Sequence, residues 1–165
     1  MEIIKDLILT DCFFIKCFID TGGMRLSDYL DNLNRSFVPL KNVTMIDLDK
    51  GASLSSHEAF VRMDEIVLAH ELLDVCGDRN MRNLVDAGAF SRRVALHHSG
   101  GFGIEISGTM RPEAFEGIDR EKCFFVVRDV EVVGPDPAVN KEFKLISSLS
   151  YAIVNRQQVG YIFNQ

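Results

Sequence analysis

Apolar and polar residues alternate in the first part of the chain with the period of two that is typical of a β-strand. In FFIKCFIDTGG (13–23), the side chains of Ile15, Cys17 and Ile19 fall on one face, and two glycines end the strand. The following stretch, MRLSDYLDNL (24–33), places apolar residues at helical spacing instead. It predicts a helix of two to three turns.

The same apolar pattern recurs 87 residues downstream, which suggests an internal repeat. The aligned pairs are Ile15/Phe102, Cys17/Ile104, Ile19/Ile106, Phe37/Phe124, Leu40/Val127, Val43/Val130, Met45/Val132 and Ile46/Val133. Most of these pairs share apolar character without sharing the residue type. The repeat therefore indicates a common scaffold and not a common chemistry.

Each half reads as strand, short helix, strand, polar loop and two strands. The stretches SFVPLKNVTMID (36–47) and CFFVVRDVEVVG (123–134) predict matching strands, with Asn42 and Asp129 at equivalent positions where the strand bends. Pro112 suits the first turn of the second helix, whose apolar face holds Ala114, Phe115 and Ile118.

Polar loops are expected to follow the matching strands, in DKGASLSSHE (49–58) and GPDPAVNKE (134–142). The next stretches, 60–70 and 143–154, are aligned with each other. A last strand is predicted where Val159, Tyr161 and Phe163 alternate.

These elements predict a mainly β protein with short helices, built from two homologous small β-barrel or β-sandwich units in tandem. The first half comprises residues 1–87 and the second half residues 88–165. Because each unit alone would have a small core, we expect the two to pack on each other about a pseudo-twofold axis. Residues 71–90 between them read as helix, linker or both.

The stretch RLSDYLDNLNRSFVPLKNV (25–43), preceded by the strand 13–23, resembles a bacterial domain of unknown function. Members of that family carry a strand, an RLSD-x-LN helix and an F-x-x-L-x-x-V strand. The resemblance covers residues 8–70, whereas RPEAFEGID (111–119) of the second half lacks the Ser-Asp pair. It implies a fold and no activity.

More loosely, the strand order and the closing FVRMDEIVLA (60–69) resemble Sm-like small barrels. That resemblance implies RNA binding or ring assembly, although the glycine-centred signature of the closing strands is absent. The formal charge of −6 comes entirely from residues 1–86, which hold 9 basic and 15 acidic residues. Nucleic-acid binding is therefore disfavoured, while a local basic patch stays open.

Composition agrees with a folded protein without a membrane span. Hydrophobic residues make up 47% of the chain and charged residues 25%. The apolar stretch near the N-terminus is interrupted by Asp11 and Lys16 before it reaches the roughly 18 residues that a span needs. We expect a cytoplasmic protein whose four cysteines, at positions 12, 17, 76 and 123, are buried free thiols.

Few residues point to chemistry. Arg25, Ser27 and Asp28 are the polar residues of the family-like helix, and they are candidate binding residues as well as candidate helix caps. No base adjoins Ser27 in sequence. In HHSGGFG (97–103), adjacent histidines on a strand face opposite ways, so we predict a glycine-rich turn and neither a metal site nor a cofactor site.

The leading hypothesis is a non-enzymatic module that acts through protein contacts or self-association, since strand edges of small β units readily pair with a partner. The alternative is an Sm-like binder of nucleic acid or a small ligand. Its candidate residues are Arg92, Arg93, Arg111, Arg120 and Lys122 in the second half. No catalytic residue, cofactor, metal or membrane partner is predicted.

Overall fold

The computed structural model describes residues 4–72, 91–116 and 122–165, which form one antiparallel sheet of ten strands and three short helices. The strands are β1 (Asp6–Thr10), β2 (Phe13–Phe18), β3 (Phe37–Asp47), β4 (Ser53–Arg62), β5 (Ile66–Glu71), β6 (Arg92–His98), β7 (Glu105–Met110), β8 (Phe124–Val133), β9 (Ser148–Asn155) and β10 (Val159–Asn164). The helices are α1 (Leu26–Asn32), α2 (Glu113–Glu116) and α3 (Lys144–Ser147), with 3₁₀ turns at Met63–Glu65, Lys141–Phe143 and Arg156–Gln158. The predicted mainly β class is confirmed.

The strands lie in the order β10-β6-β7-β8-β9-β5-β1-β2-β3-β4. Each half contributes five neighbouring strands in the same relative order, and the pairing of β5 with β9 joins the two sets. The sheet is not closed, because its end strands β4 and β10 each have one neighbour among the described residues. The junction pairs unlike strands, so the structure does not show the predicted pseudo-twofold axis.

Both halves bend at the same place in their third strand. Asn42 in β3 and Asp129 in β8 have positive φ angles of 51° and 49°, a conformation that asparagine and aspartate tolerate better than most residues. The register to the neighbouring strand shifts beside each of them, between Lys16 and Phe18 and between Ser107 and Thr109. The bend predicted at these two positions is confirmed.

The shift of 87 residues relates β3 to β8 but fails for the preceding strands. Ile15 pairs with Met45 and Ile106 pairs with Val132, so the register counterpart of Ile15 is Ile106 and not Phe102. The connection between β7 and β8, residues 111–123, is shorter than the connection 19–36 between β2 and β3, and the loop 99–104 between β6 and β7 is longer than the turn between β1 and β2. An ungapped alignment cannot accommodate this difference in loop length.

Two predictions about the region after β3 are wrong. The loop expected at 49–58 ends at Ala52, because β4 begins at Ser53 with almost every side chain exposed and therefore without apolar alternation. Residues 60–70 contain the end of β4, a 3₁₀ turn and β5, and the same order of elements recurs at 153–163 and not at 143–154.

Both predicted helices are present, and α1 is shorter than the predicted stretch 24–33. α1 buries Leu26 and Leu30, as its apolar spacing predicts. The carbonyl of Pro112 accepts the N–H groups of Phe115 and Glu116 at the start of α2, whereas Ile118 lies outside the described residues. The longest described helix, α1, has 7 residues, and no helix in the described part of the chain is long and apolar enough to cross a membrane.

The core consists of two apolar clusters. One lies mainly in the first half, includes Ile8, Ile15 and Leu40, and takes in Tyr151 of the second half. The other lies mainly in the second half and extends to the face of β1 and β2 that carries Phe14, where Phe14 meets Phe143 edge-on at 6.1 Å between ring centroids. The long connection between β8 and β9 thus covers the first half and holds the halves together.

The cysteine prediction is partly wrong. Cys17 is buried, and that burial raises the pKa of its thiol far above the ordinary value. Cys12 and Cys123 are exposed, because the first lies in the turn between β1 and β2 and the second precedes β8. Cys76 lies outside the described residues, as does most of the segment 71–90.

Asp6 on β1 is a buried carboxylate at the edge of the first-half cluster. Its Oδ2 accepts the backbone N–H of Ile19 at 2.7 Å. Desolvation by burial is the largest influence on Asp6 and raises its pKa to about 6, against the opposing effects of that hydrogen bond and of Lys5. A raised pKa in the folded state means that ionisation opposes folding.

Replacing Asp6 with asparagine should therefore change how stability depends on pH. The native protein should lose about 3 kcal/mol of unfolding free energy relative to Asp6→Asn as the pH rises from about 4 to about 7, because the folded carboxyl must ionise while buried. Urea unfolding of both proteins across this range measures the difference. Because asparagine keeps an acceptor for the N–H of Ile19, the two proteins differ mainly in whether residue 6 can ionise. Unfolding free energies that change with pH in parallel in the two proteins would contradict the prediction.

Candidate functional site

A cavity of about 330 Å³ lies where α1 of the first half meets the second half. Its first-half wall is formed by Ser27, Asp28 and Asp31. Its second-half wall is formed by Arg111, Glu113, Ala114, Lys122, Phe124, Phe125, Val126 and Arg156. The structure therefore brings Ser27 and Asp28, nominated in the first half, together with Arg111 and Lys122, nominated in the second half.

Helix α1 fixes the acidic wall of the cavity. Its preceding residue, Arg25, donates from Nε to Oδ2 of Asp28 at 2.6 Å, three residues apart on the helix. This pair compensates the charge of Asp28 at the cavity wall. Arg25 itself does not line the cavity.

Asp31 attaches the helix to the second half. Its Oδ1 accepts the backbone N–H groups of Cys123 at 3.0 Å and Phe124 at 3.1 Å, at the beginning of β8. Burial is the largest influence on this carboxyl and raises its pKa, although both hydrogen bonds oppose the shift. Asp31 is therefore a structural anchor as well as a lining residue.

Three basic side chains belong to the second-half wall. Arg156 is held by a hydrogen bond of 3.0 Å from Nη2 to the carbonyl oxygen of Ala114. Arg111 and Lys122 lie before α2 and before β8. Phe124, Phe125 and Val126 add apolar surface to the lining, and Glu113 adds a carboxylate to the second-half wall.

Two other predicted binding residues lie elsewhere. Arg92 forms an exposed ion pair with Glu116 at 3.2 Å, and Arg93 donates to the carbonyl oxygen of Asp129 at 3.3 Å. They are neighbours on β6 and therefore point to opposite faces of the sheet. Neither lines the cavity, and Arg120 lies outside the described residues.

Sequence reasoning missed Asp31, Phe125 and Arg156. Asp31 is one of several polar residues on the exposed side of a short helix, and its partners are more than ninety residues away. Arg156 follows a strand without any motif around it. Only the long-range packing of the two halves identifies these residues.

His97 and His98 make separate contacts, as adjacent strand residues should. His97 lies 3.6 Å from a carboxylate oxygen of Glu105, whereas His98 is buried, with Nδ1 donating to the carbonyl of Gln158 at 3.0 Å. The Nε2 atom of His98 lies 3.2 Å from Asp11, which also accepts N–H groups from the glycine-rich turn. Within the described ranges, no group of three His, Cys, Asp or Glu side chains is placed to hold a metal ion.

The two end strands of the sheet form a second candidate site. Within residues 4–72, 91–116 and 122–165, no strand pairs with the outer edge of β4, and Leu54 and Phe60 on it are exposed. The same holds for the outer edge of β10, where Tyr161 and Phe163 are exposed. Unpaired backbone groups beside exposed aromatic rings are the features of a strand that pairs with a partner.

No family model, no curated protein and no solved structure matches this chain.

Removing the Asp31 carboxylate should separate its structural role from its charge. Asp31→Ala should lower the free energy of unfolding by about 2 kcal/mol, because two N–H groups of the β8 start lose their acceptor. Asp31→Asn retains an acceptor oxygen and should lose less. Chemical denaturation of the two variants measures this, and equal losses would contradict the role as acceptor.

Proposed function

We propose that this protein is a non-enzymatic β module that associates with copies of itself through the two open edges of its sheet. The observation that carries the proposal is that the outer edges of the end strands, β4 and β10, have no partner strand in the described part of the chain and that each strand has exposed apolar side chains. Antiparallel addition of a strand to such an edge satisfies its backbone groups and buries its side chains.

The composition of the edges supports this role. Natural proteins protect free edges with lysine, proline or inward-pointing charges. β10, with the sequence VGYIFN, has no charged residue and no proline, and β4 has no lysine and no proline. Two such edges on one chain favour assembly over a single contact.

The repeated strand order supports the finer proposal that the two halves are diverged copies of one small β unit. Both have the order strand, strand, helix, strand, strand, 3₁₀ turn and strand, and the second half adds a 3₁₀ turn and α3 between its third and fourth strands. Both also bend at a positive-φ residue, Asn42 or Asp129. In a duplicated unit whose two edges are complementary, one edge of each copy forms the internal junction. The other edge of each copy stays free.

Self-association should therefore be measurable and sensitive to the edges. Sedimentation velocity over a wide concentration range should detect oligomers, and Phe60→Lys on β4 should weaken association by about tenfold or more, since an exposed ring is lost and a charge added. Leu145→Lys on α3 is the matched control, because Leu145 is exposed but lies on neither edge strand.

A native protein that stays monomeric at every concentration would contradict the proposed function. So would an equal effect of Phe60→Lys and Leu145→Lys. Circular dichroism of each variant verifies that the fold is retained.

The cavity beside α1 supports a second candidate function, the binding of a small organic anion. Arg111 and Lys122 supply positive charge, and the apolar residues of the lining suit an apolar group. Arg25 pairs with Asp28, and two backbone N–H groups donate to Asp31, so the three basic side chains of the second-half wall, set against Glu113, favour an anion.

Benzoate tests this candidate, with benzylamine as a probe of the same ring and opposite charge. At constant ionic strength, benzoate should raise the Tm of the native protein, because a ligand that binds the folded state stabilises it. The variant Arg111→Gln, Lys122→Gln should lose this shift while folding normally. An equal shift with benzylamine, or with the double variant, would contradict anion binding in the cavity.

A further inference from the structure

We infer that the partner of the β10 edge is the β4 edge of a second copy of this chain, paired head to tail in a defined register. The inference rests on the proposed self-association and specifies how the copies meet. In that register Ile162 of one copy faces Phe60 of the next, and Tyr161 faces Val61.

The internal junction supplies the template for this pairing. β5 and β9 run antiparallel, with Leu68 paired to Val154 and Ala69 paired to Ile153. β5 closes the first half in the same way as β10 closes the second. β9 occupies in the second half the place that β4 occupies in the first.

The equivalence holds at the level of individual residues. Ala69 pairs with Ile8 on β1, and Ile162 pairs with Leu96 on β6. The register then skips one residue at corresponding positions, before Ile66 in the first half and before Val159 in the second. β5 and β10 are therefore related by a constant shift of 93 residues.

The sequence shift that relates β4 to β9 follows from how each pairs with its bent neighbour, β4 with β3 and β9 with β8. Lys41 pairs with Glu58, and its counterpart Arg128 pairs with Tyr151. Glu58 and Tyr151 are again 93 residues apart. The counterparts of Leu68 and Ala69 on β10 lie 93 positions later, and the counterparts of Val154 and Ile153 on β4 lie 93 positions earlier. The same pairing at the free edges therefore places Tyr161 against Val61 and Ile162 against Phe60.

Residues that are buried in the junction have exposed counterparts at the free edges, as expected where the partner strand is absent. Ile153 is 0% exposed inside the junction, whereas its counterpart Phe60 is 60% exposed at the free edge. Leu68 is 0% exposed, whereas its counterpart Tyr161 is 66% exposed. Large apolar side chains thus remain at positions that only a partner strand would cover.

A polar pair beside the junction retains its complementarity. The hydroxyl of Tyr151 donates to Oε2 of Glu71 at 3.3 Å across the two halves. The counterparts of these residues at the free edges are Glu58 and Asn164. An asparagine amide can donate to a glutamate carboxylate. The donor would then lie on β10 and the acceptor on β4, the reverse of the internal junction, and a donor–acceptor pair would be kept.

Pairing of two different edges determines the kind of assembly. A heterologous contact leaves one β4 edge and one β10 edge free after every addition, so copies extend into a ring or a filament. Pairing of β4 with β4 would instead stop at a dimer. A second copy is preferred to an unrelated strand because the two free edges match each other in register, in apolar content and in polar pairing.

Disulfide trapping between two singly substituted proteins tests the register. Phe60→Cys and Ile162→Cys are made in a background with Cys12, Cys76 and Cys123 replaced by serine, and the two proteins are mixed under mild oxidation. Head-to-tail pairing predicts a disulfide-linked dimer that contains one chain of each kind. Mass spectrometry of the linked peptides identifies the pair.

Three controls define the outcomes. Phe60→Cys mixed with Tyr161→Cys is one residue out of register and should link poorly. Ala59 and Phe163 are the next facing pair in the proposed register, so the mixture of Ala59→Cys with Phe163→Cys should link as well. This mixture tests the register if Ile162→Cys folds poorly. Each single variant alone should remain unlinked.

A dimer formed by Phe60→Cys alone would overturn the inference, because it would indicate β4-to-β4 pairing, while the proposed self-association would stand. Equal linking in and out of register would overturn it as well. If the native protein sediments as a monomer and no mixture links, both the inference and the proposed function are wrong.

Discussion

The ladder between β5 and β9 is the contact on which the architecture depends, because it turns two five-stranded sets into one sheet. Only two residue pairs form it, Leu68 with Val154 and Ala69 with Ile153. So short a ladder has little stability of its own, and burial around it must supply the remainder. That burial comes from Phe143 and Ile146, which cover the outer face of the first half near Phe14.

Polar groups beside the ladder specify its register. Nδ1 of His70 donates to the carbonyl of Tyr151 at 2.9 Å, and the two rings lie 4.8 Å apart. The hydroxyl of Tyr151 in turn donates to Glu71. A slip by one residue would move every side chain to the other face and leave these buried groups without their acceptors, which costs more than it gains.

The sequence predicted a strand correctly where one face is apolar and the other is polar. The prediction failed where both faces of a strand have the same character. β3 and β8 were predicted as matching strands, and the bends at Asn42 and Asp129 were predicted from their equivalent positions in the two halves, where the structure has a positive φ. β4 was predicted in part as a loop, because an edge strand with both faces exposed has no alternation. Ser27 and Asp28 were nominated from the family-like helix and Arg111 from the basic residues of the second half, whereas Asp31 needed the fold, since its partners belong to the other half.

The two halves differ most in the connection between their third and fourth strands, and this difference separates the internal junction from the free edges. The second-half connection, residues 134–147, is long enough to carry Phe143 and Ile146 across to the first half. The first-half connection, residues 48–52, has no segment that could reach over a neighbouring copy. A contact between β4 and β10 would therefore have the strand ladder and its edge side chains but no covering segment, and Val133 on the outer face of the second half would stay exposed. Since burial contributes most of the stability of such a contact, association between chains should be weaker than the junction within the chain, and it should be reversible.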